Sequence, residues 1–381
     1  MQRRIVAHLE HGKRMDFAEA TLHVDASTYT DPERFEVEKR AIFRSQPLLA
    51  GFSGEVAKTG DRLLFDALGV PVVILRAGDG TLRAYLNVCP HRGARLVERC
   101  ERGPRITCPF HAWSFDLEGK LAGTPLPEAF EGEDLGTRSL LRLPVAEWEG
   151  MIFVRLQVGG AAIDVESFLG PIAPVLSALE LAGLAPVKSE RIDLSANWKL
   201  ALDTFAETYH VPALHRDSLA KTLYPYVEIN DHYGLHHRYC GPGLDFAPCL
   251  DKPESEWPEI PYQAVHLLFP NTVLTFTHAL DGETPVTLLF RILPGTSVGE
   301  SITIASTYRR AEAGDASEQE IAALHDAVLD VVRNEDYRTL RESWQGILHA
   351  PPGFRFLLGR AEEILQCFHR DFDAFIAREA R

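Results

Sequence analysis

Cysteine is scarce, with six in 381 residues at positions 89, 100, 108, 240, 249 and 367. That density is too low for a disulfide scaffold. Basic residues are also in short supply. Lys+Arg number 39 against 54 Asp+Glu, a formal net charge of −15, and no basic cluster offsets it. This balance argues against nucleic acid and anionic membrane surfaces as partners. No uninterrupted apolar run approaches the ~18 residues of a membrane span. The start, Met1-Gln-Arg-Arg-Ile5, is basic but has no apolar core of signal-peptide length, so a cytoplasmic location is expected. Internal repeats and low-complexity segments are lacking. So is a Gly-x-Gly-x-x-Gly turn after a strand, and with it a means of accepting hydride directly.

What is there is the composition of a packed protein, 45% hydrophobic and 24% charged. The length allows about two or three domains at roughly 150 residues each. Asp31 and Pro32 look like the N-cap and first position of a helix. Phe35, Ile42 and Phe43 would form its apolar stripe, giving a helical segment over 1–45 that packs ahead of the first domain. From 46 to 158 the pattern is short β runs and turns: 62–66, 70–76, 82–88, 105–107, 113–116 and 151–156. Gly78-Asp79-Gly80 makes a hairpin turn between the second and third. From 159 the strands stop and 167–181 is helix-prone. A strand is expected to begin at Ile192, and helical spacing runs over 198–209. Antiparallel strands follow at 264–269, 272–278, 284–293 and 300–308, with long helices at 317–346 and 360–380. The fold class is α+β, an all-β domain followed by an antiparallel sheet with long helices over 159–381.

Two cysteines stand apart from the other four, which read as ordinary reduced thiols. Cys89-Pro-His91 and Cys108-Pro-Phe-His111 are separated by the 16 residues 92–107. Each pair holds one cysteine and one histidine, follows a strand and carries a proline, as two facing hairpin tips would. Zinc sites usually group Cys with Cys and His with His. A Rieske [2Fe–2S] centre needs two thiolates on one iron and two imidazoles on the other, which suits the mixed pairs. Trp113 and Phe110 would shield such a cluster from water.

A second cluster runs from Asp203 through Glu207 and His210 to His215. Asp203, Glu207 and His210 fall at i, i+4 and i+7, one face of a helix. Pro212 bends or ends that helix and could swing His215 back beside His210. The two histidines read as ligands of one metal. Non-haem iron(II) takes two histidines and a carboxylate on one face and leaves the rest open.

Cys-Pro-His-Arg-Gly-Ala at 89–94 and Cys-Pro-Phe-His-Ala-Trp at 108–113 closely resemble the Rieske motif of ring-hydroxylating oxygenase α-subunits. Asn197-Trp-Lys-Leu, followed by Glu207-Thr-Tyr-His210-Val-Pro-Ala-Leu-His215, resembles the mononuclear iron segment of the same Rieske non-haem iron oxygenase family. The resemblance covers nearly the whole chain. It implies a Rieske domain (46–158) followed by a helix-grip, START-like catalytic domain (159–381), and a head-to-tail homotrimer. It also implies a Rieske [2Fe–2S] cluster on Cys89, His91, Cys108 and His111, and mononuclear Fe(II) on His210, His215 and a distant carboxylate. Asp336, in Arg333-Asn-Glu-Asp-Tyr-Arg, matches the family's position for that carboxylate, ahead of Glu335, Asp330 and Asp326. Glu207 would not bind iron but would link His210 to His111 of a neighbouring subunit; many family members have Asp there. Asp203 and Thr204 stand where relatives often carry Asn near the iron, a departure that leaves Asp203, with Glu207, as a catalytic-residue expectation.

The activity implied is that of a terminal oxygenase, an oxidoreductase using O₂ and electrons from an NAD(P)H-dependent reductase, with or without ferredoxin. It would hydroxylate or oxidatively demethylate a small organic, aromatic-type substrate. Ring cis-dihydroxylation, a Rieske electron carrier and a zinc-stabilised binding module are the alternatives. Phe269, Phe276, Leu289 and Phe290 are expected near the substrate, with alternation turning only about half of them inward. His232, His236 and His237 are expected at the surface, and His266 and His278 carry no assignment.

Overall fold

Strand-forming residues at period two and close-set turns build the first compact unit, Arg40–Ala185. The computed structural model describes residues 1–12, 14–279, 281–310 and 314–379. In this unit Arg62–Ala67, Val70–Arg76, Leu82–Leu86 and Arg142–Leu143 form a four-stranded antiparallel sheet in that order. Gly80, at φ +81°, supplies the left-handed turn between the middle strands. Ile106–Thr107, Ser114–Phe115 and Leu121–Gly123 make a small three-stranded sheet. Val145–Trp148, Met151–Val154 and Leu48–Phe52 make another. Val73, Leu75, Tyr85, Ile106, Trp113 and Phe115 pack into one core, and Cys89 and Cys108 belong to it.

Residues 159–185 stay with this β unit, whereas the sequence reading drew its boundary after 158. Leu169, Ile172, Leu176 and Leu181 are at most 1% exposed, so the segment has an apolar side that must be covered. Phe168 meets Phe153 edge-on at 5.9 Å. Gly150 (φ +79°) lets the chain pass Ala182, whose Cα would lie 2.3 Å from any added Cβ.

The second unit combines Met1–Lys39 with Pro186–Arg381. The short helix Pro32–Glu38 starts as expected, Asp31 accepting from the Glu33 N–H at 2.8 Å. It is part of this second unit. Glu38, fully buried, accepts from Trp198 Nε1 at 3.0 Å and from Lys199 Nζ at 2.6 and 2.7 Å, which ties the helix to the second unit. A buried carboxylate needs such partners, because leaving it unpaired costs several kcal/mol (~3–5).

The main sheet has seven strands in the order Leu184–Leu194, Ser301–Arg310, Pro285–Pro294, Thr272–His278, Val265–Leu268, His236–Cys240 and Ile229–Tyr233. The pairings from Ile229 to Arg310 are antiparallel. The strand expected to start at Ile192 instead ends at Leu194. The long helix starts in a capping box, Ser317 with Glu320. It runs as Glu318–Val331 and Tyr337–Leu348, joined through a π-helical turn at Val332–Asp336. The last helix is Glu363–Glu379, and Ala380 lies outside the described residues. A unit built mainly of β-strands and a unit of helices on an antiparallel sheet make up the α+β fold the sequence implies. Among the described residues no helix is long and apolar enough to cross a membrane.

Candidate metal centres

Two loops of the β unit are built alike. The Cys89 N–H donates to the Ala94 carbonyl at 2.7 Å and the Gly93 N–H returns to the Cys89 carbonyl at 2.9 Å. In the other loop Cys108 donates to Trp113 at 2.8 Å and Ala112 returns to Cys108 at 3.0 Å. Both turns pass through a positive φ, at Gly93 (+75°) and at Ala112 (+54°). A non-glycine residue there is uncommon and costs of the order of 1 kcal/mol, so the turn is held by its surroundings.

The loops bring together the four residues picked out by spacing. Cys89 and Cys108 are 2% and 1% exposed, and the His91 and His111 rings lie 4.8 Å apart. Nδ1 of each histidine is buried without a hydrogen-bond partner. Buried polar atoms are rarely left so unless something else is meant to meet them. Burial raises the Cys89 thiol above its ordinary range. Burial, then the nearby His111 and Arg92, lowers His91 below its own, keeping its lone pair available. Trp113, 3% exposed, stacks on His91 at 4.7 Å and 2°. Phe110, expected to shield the site, lies 3.8 Å from the His111 ring but is itself 55% exposed. Phe130 instead closes the site over His91 and Trp113, at 5.8 and 5.3 Å.

In the second unit, His210, His215 and Asp336 each bring one ligand-type atom within 4.8 Å of the others. Asp336 Oδ1 lies 3.2 Å from His215 Nε2 and 3.7 Å from His210 Nε2. The opposite ring nitrogens are held by carboxylates: His210 Nδ1 by Glu207 at 2.5 Å and His215 Nδ1 by Glu335 at 2.7 Å. A carboxylate on the far nitrogen fixes tautomer and ring direction, as metal-binding histidines require. Burial opposes charge on His215, but Asp336 and Glu335 outweigh it and raise the imidazole above its ordinary range, so the site favours a cation.

The local folding differs from the sequence reading. The helix stops at Asp203, not Tyr209. Phe205 and Ala206 bond back only three residues, to Leu202 and Asp203, at 2.9 and 3.1 Å. This tightening ends the helix, so Asp203, Glu207 and His210 do not share a helical face. The chain becomes helical again at Val211–Leu214, with Pro212 in its first turn and His215 as its C-cap. The two rings then sit 5.1 Å apart.

Asp203 is not beside the two histidines; it accepts from Tyr29 Oη at 2.8 Å and lies 3.3 Å from His369 Nε2. Of the other acidic candidates on the long helix, Asp330 accepts from Asn334 at 2.6 Å and Asp326 pairs with Lys188 at 2.5 Å. Three further residues complete the site: Thr204, which the sequence placed near the iron without a role, Glu335, expected only as a rival to Asp336, and Glu228, which the sequence did not single out. Thr204 donates to Asp336 Oδ1 at 3.0 Å. Glu335 binds His215 rather than competing with Asp336, and its place beside Asp336 was the only available signal. Glu228, 1% exposed, accepts from both the N–H and the hydroxyl of Thr208, at 2.8 and 2.7 Å. Burial, with Glu207 close by and opposed by the Thr208 bonds, pushes it up to about 8.

The apolar candidates divide by register. Val273 faces Phe290 and Leu274 faces Leu289, so Phe290 lies on one side of the sheet and Leu289 with Phe276 on the other. Phe290 meets Phe205 at 5.0 Å, while Phe269 packs on Phe372 and Phe375 of the last helix. His236 and His237, expected at the surface, are 1% and 2% exposed, and only His232 is exposed.

A β unit presenting two thiols and two imidazoles, and a helix-and-sheet unit gathering two histidines and an aspartate, define a two-centre, metal-dependent redox protein. Residues 46–145 match the family described as Rieske [2Fe-2S] domain, and residues 181–378 match Ring hydroxylating alpha subunit (catalytic domain). The chain belongs to this ring-hydroxylating α-subunit family. Membership implies a Rieske [2Fe–2S] cluster and a mononuclear iron working with O₂. The glycine betaine monooxygenase oxygenase subunit of Chromohalobacter salexigens is 32% identical over 206 residues, 53% of this chain and 45% of that protein. The chain thus spans about half the length of the curated relatives it matches. A solved quaternary ammonium Rieske monooxygenase in complex with L-carnitine shares the fold at TM-score 0.78 and 22% identity, over 94% of this chain and 96% of that one. Naphthalene 1,2-dioxygenase from Rhodococcus sp. shares it at 0.75 and 19%, over 100% and 98%.

Proposed function

We propose that this chain is the terminal oxygenase component of a multi-component system that hydroxylates or oxidatively demethylates a small organic substrate. The observation that carries the reading is the convergence of His210 Nε2, His215 Nε2 and Asp336 Oδ1, each histidine steadied from behind by its own carboxylate. Two imidazoles and one carboxylate fit a facial iron(II) site. The buried thiols of Cys89 and Cys108 and the unpartnered Nδ1 atoms of His91 and His111 fit the mixed donor set of a Rieske cluster. When bound, the cluster supplies single electrons and the iron supplies O₂ activation.

The protein's own groups do the rest. Glu207 and Glu335 accept the Nδ1 protons of His210 and His215, so each histidine presents a lone pair at Nε2. Thr204 orients Asp336 through its hydroxyl. Trp113 and Phe130 pack against the His91 ring and fix its direction. Glu207 is read as the residue that joins His210 to His111 of the neighbouring copy in a head-to-tail homotrimer, a ring in which each cluster would serve the next subunit. Electrons would come from an NAD(P)H-dependent reductase, directly or through a ferredoxin. In domain terms, 46–158, which holds the cluster residues, is read as the cluster domain and 159–381, which holds the iron residues, as the catalytic domain, with 159–185 packing in the β unit.

The named activity of the glycine betaine relative supports a methylammonium substrate over an aromatic one. The test is oxygen uptake by iron-loaded protein with a surrogate reductase, offered glycine betaine, carnitine, and aromatic acids as competitors. Substrate-stimulated uptake with one oxygen atom in the product supports the reading. Uptake that no substrate stimulates would overturn it, and a cis-diol from an aromatic acid would replace monooxygenation with dihydroxylation.

A further inference from the structure

A second cluster of metal-type donors lies in the helix-and-sheet unit, built from residues the proposed chemistry does not use. His232 and His237 are direct cross-strand partners in the hairpin whose outer strand, Ile229–Tyr233, ends the seven-stranded sheet. Cross-strand partners have adjacent side chains. Glu363 and Cys367 lie four residues apart on the last helix, so they share its face. One nitrogen of each histidine and Cys367 Sγ all lie within 4.8 Å of one another.

The atoms are arranged as a site. His232 Nδ1 and His237 Nδ1 face each other at 3.0 Å. Glu363 Oε2 lies 3.3 Å from His232 Nε2 and also accepts from Asn230 Nδ2 at 3.1 Å. A carboxylate on Nε2 draws the proton there and leaves the lone pair on Nδ1, the orientation typical of zinc-bound histidine. Two ring nitrogens at this separation need either a proton or a cation between them. Two metal–nitrogen bonds of about 2.0–2.1 Å to one ion span such a gap. His237 is 2% exposed and its ring meets Phe368 edge-on at 5.2 Å, so the nitrogen it turns toward His232 is held in place.

We infer that His232, His237 and Cys367 form a binding site for a borderline-soft divalent cation of the Zn²⁺ type, with Glu363 as the positioning carboxylate. Two imidazoles and a thiolate suit zinc and leave a fourth position for water. Binding replaces the Cys367 thiol proton, so one proton is released per ion. The ion would pin the last helix to the edge hairpin, and the exposed His232 gives it a path in from solvent. This inference stands apart from the proposed oxygenase reading.

The test uses full-length, cluster-loaded protein carrying His210→Ala, so that the His210–His215–Asp336 set does not compete. Co²⁺ is added and the difference spectrum followed, then Zn²⁺ is added to displace it. The expected result is a thiolate-to-cobalt charge-transfer band at one ion per chain, lost in Cys367→Ser and in His232→Ala. The His210 set has no thiolate and cannot produce that band. Glu363→Gln should weaken binding by about 10–100-fold without abolishing the band. Zn²⁺ should raise the melting temperature of the parent and not of Cys367→Ser. Absence of the band, or its survival in both Cys367→Ser and His232→Ala, would overturn the site and leave a hydrogen-bonded histidine pair. His232 is solvent-exposed, so its variant remains informative if Cys367→Ser fails to fold.

Discussion

Thr204 Oγ1 donates to Asp336 Oδ1 at 3.0 Å, joining the end of the Trp198–Asp203 helix to a π-turn 132 residues later. The π-turn matters because one extra residue per turn re-aims the side chains that follow, and such turns recur at functional sites. Here Glu335 and Asp336 reach the same histidine from its two sides, Nδ1 and Nε2.

Removing the hydroxyl in Thr204→Val should loosen Asp336 without removing it. One hydrogen bond is worth about 1 kcal/mol, so mononuclear iron affinity should fall roughly 5-fold. Chelator competition followed by iron analysis checks this, with the cluster spectrum unchanged. An affinity equal to the parent's would remove Thr204 from the site.

Glu335→Gln acts at the other nitrogen of the same ring. Loss of such a partner typically costs about 10–100-fold in metal affinity. Equilibrium binding of Fe²⁺ under anaerobic conditions measures it. The loss should exceed that of Thr204→Val, because the carboxylate sets the tautomer of His215 whereas the threonine only trims a carboxylate rotamer.

Glu207→Gln should separate metal content from turnover. Glu207 holds His210 Nδ1 as Glu335 holds His215 Nδ1, so affinity should fall here too and the variant is assayed at saturating Fe²⁺, which keeps the mononuclear site loaded. Substrate-driven oxygen uptake should fall by a factor of 10 or more, while single-electron reduction of the cluster by the reductase is unaffected. Equal losses in both would mean that Glu207 serves the metal site only.

Glu228 gives a pH signature. Its folded value is raised to about 8 against an ordinary 4.5, first by burial and then by Glu207. The folded state therefore holds a proton that the unfolded state releases. The associated stability is fully present below about pH 4.5 and is lost as pH rises through 8. Glu228→Gln has no proton to lose and can still accept from Thr208. Chemical denaturation across pH 5–9 should show the variant gaining on the parent as pH rises. Parallel curves would contradict a protonated Glu228.

The first site was legible because its chemistry is local. Each loop carries its own cysteine and histidine, and the turn that aims them is closed by bonds within six residues, Cys89 with Gly93 and Ala94, Cys108 with Ala112 and Trp113. His210 and His215 were legible for the same reason, only five residues apart. Asp336 was not readable from spacing, since 121 residues separate it from His215 and any acid on a long helix looks solvated; family resemblance supplied it. The helix over 198–209 was overestimated because apolar periodicity continues past Asp203, while three-residue back-bonding ends the helix there. Asp203 was drawn elsewhere by Tyr29 and His369, from the two ends of the chain. His236 and His237 looked like surface residues by composition. His236 is buried because its Nδ1 accepts the Phe269 N–H at 3.1 Å, and His237 because it pairs with His232 and packs on Phe368.

The measurement that bears most directly on two metal centres in one chain is iron per chain with the visible spectrum, taken on protein loaded anaerobically. The account predicts about three irons, two in a cluster with Rieske-type absorption and one mononuclear, and in His210→Ala roughly two-thirds of the iron with that absorption intact. No iron–sulfur absorption in the parent, or full iron retention in His210→Ala, would contradict it.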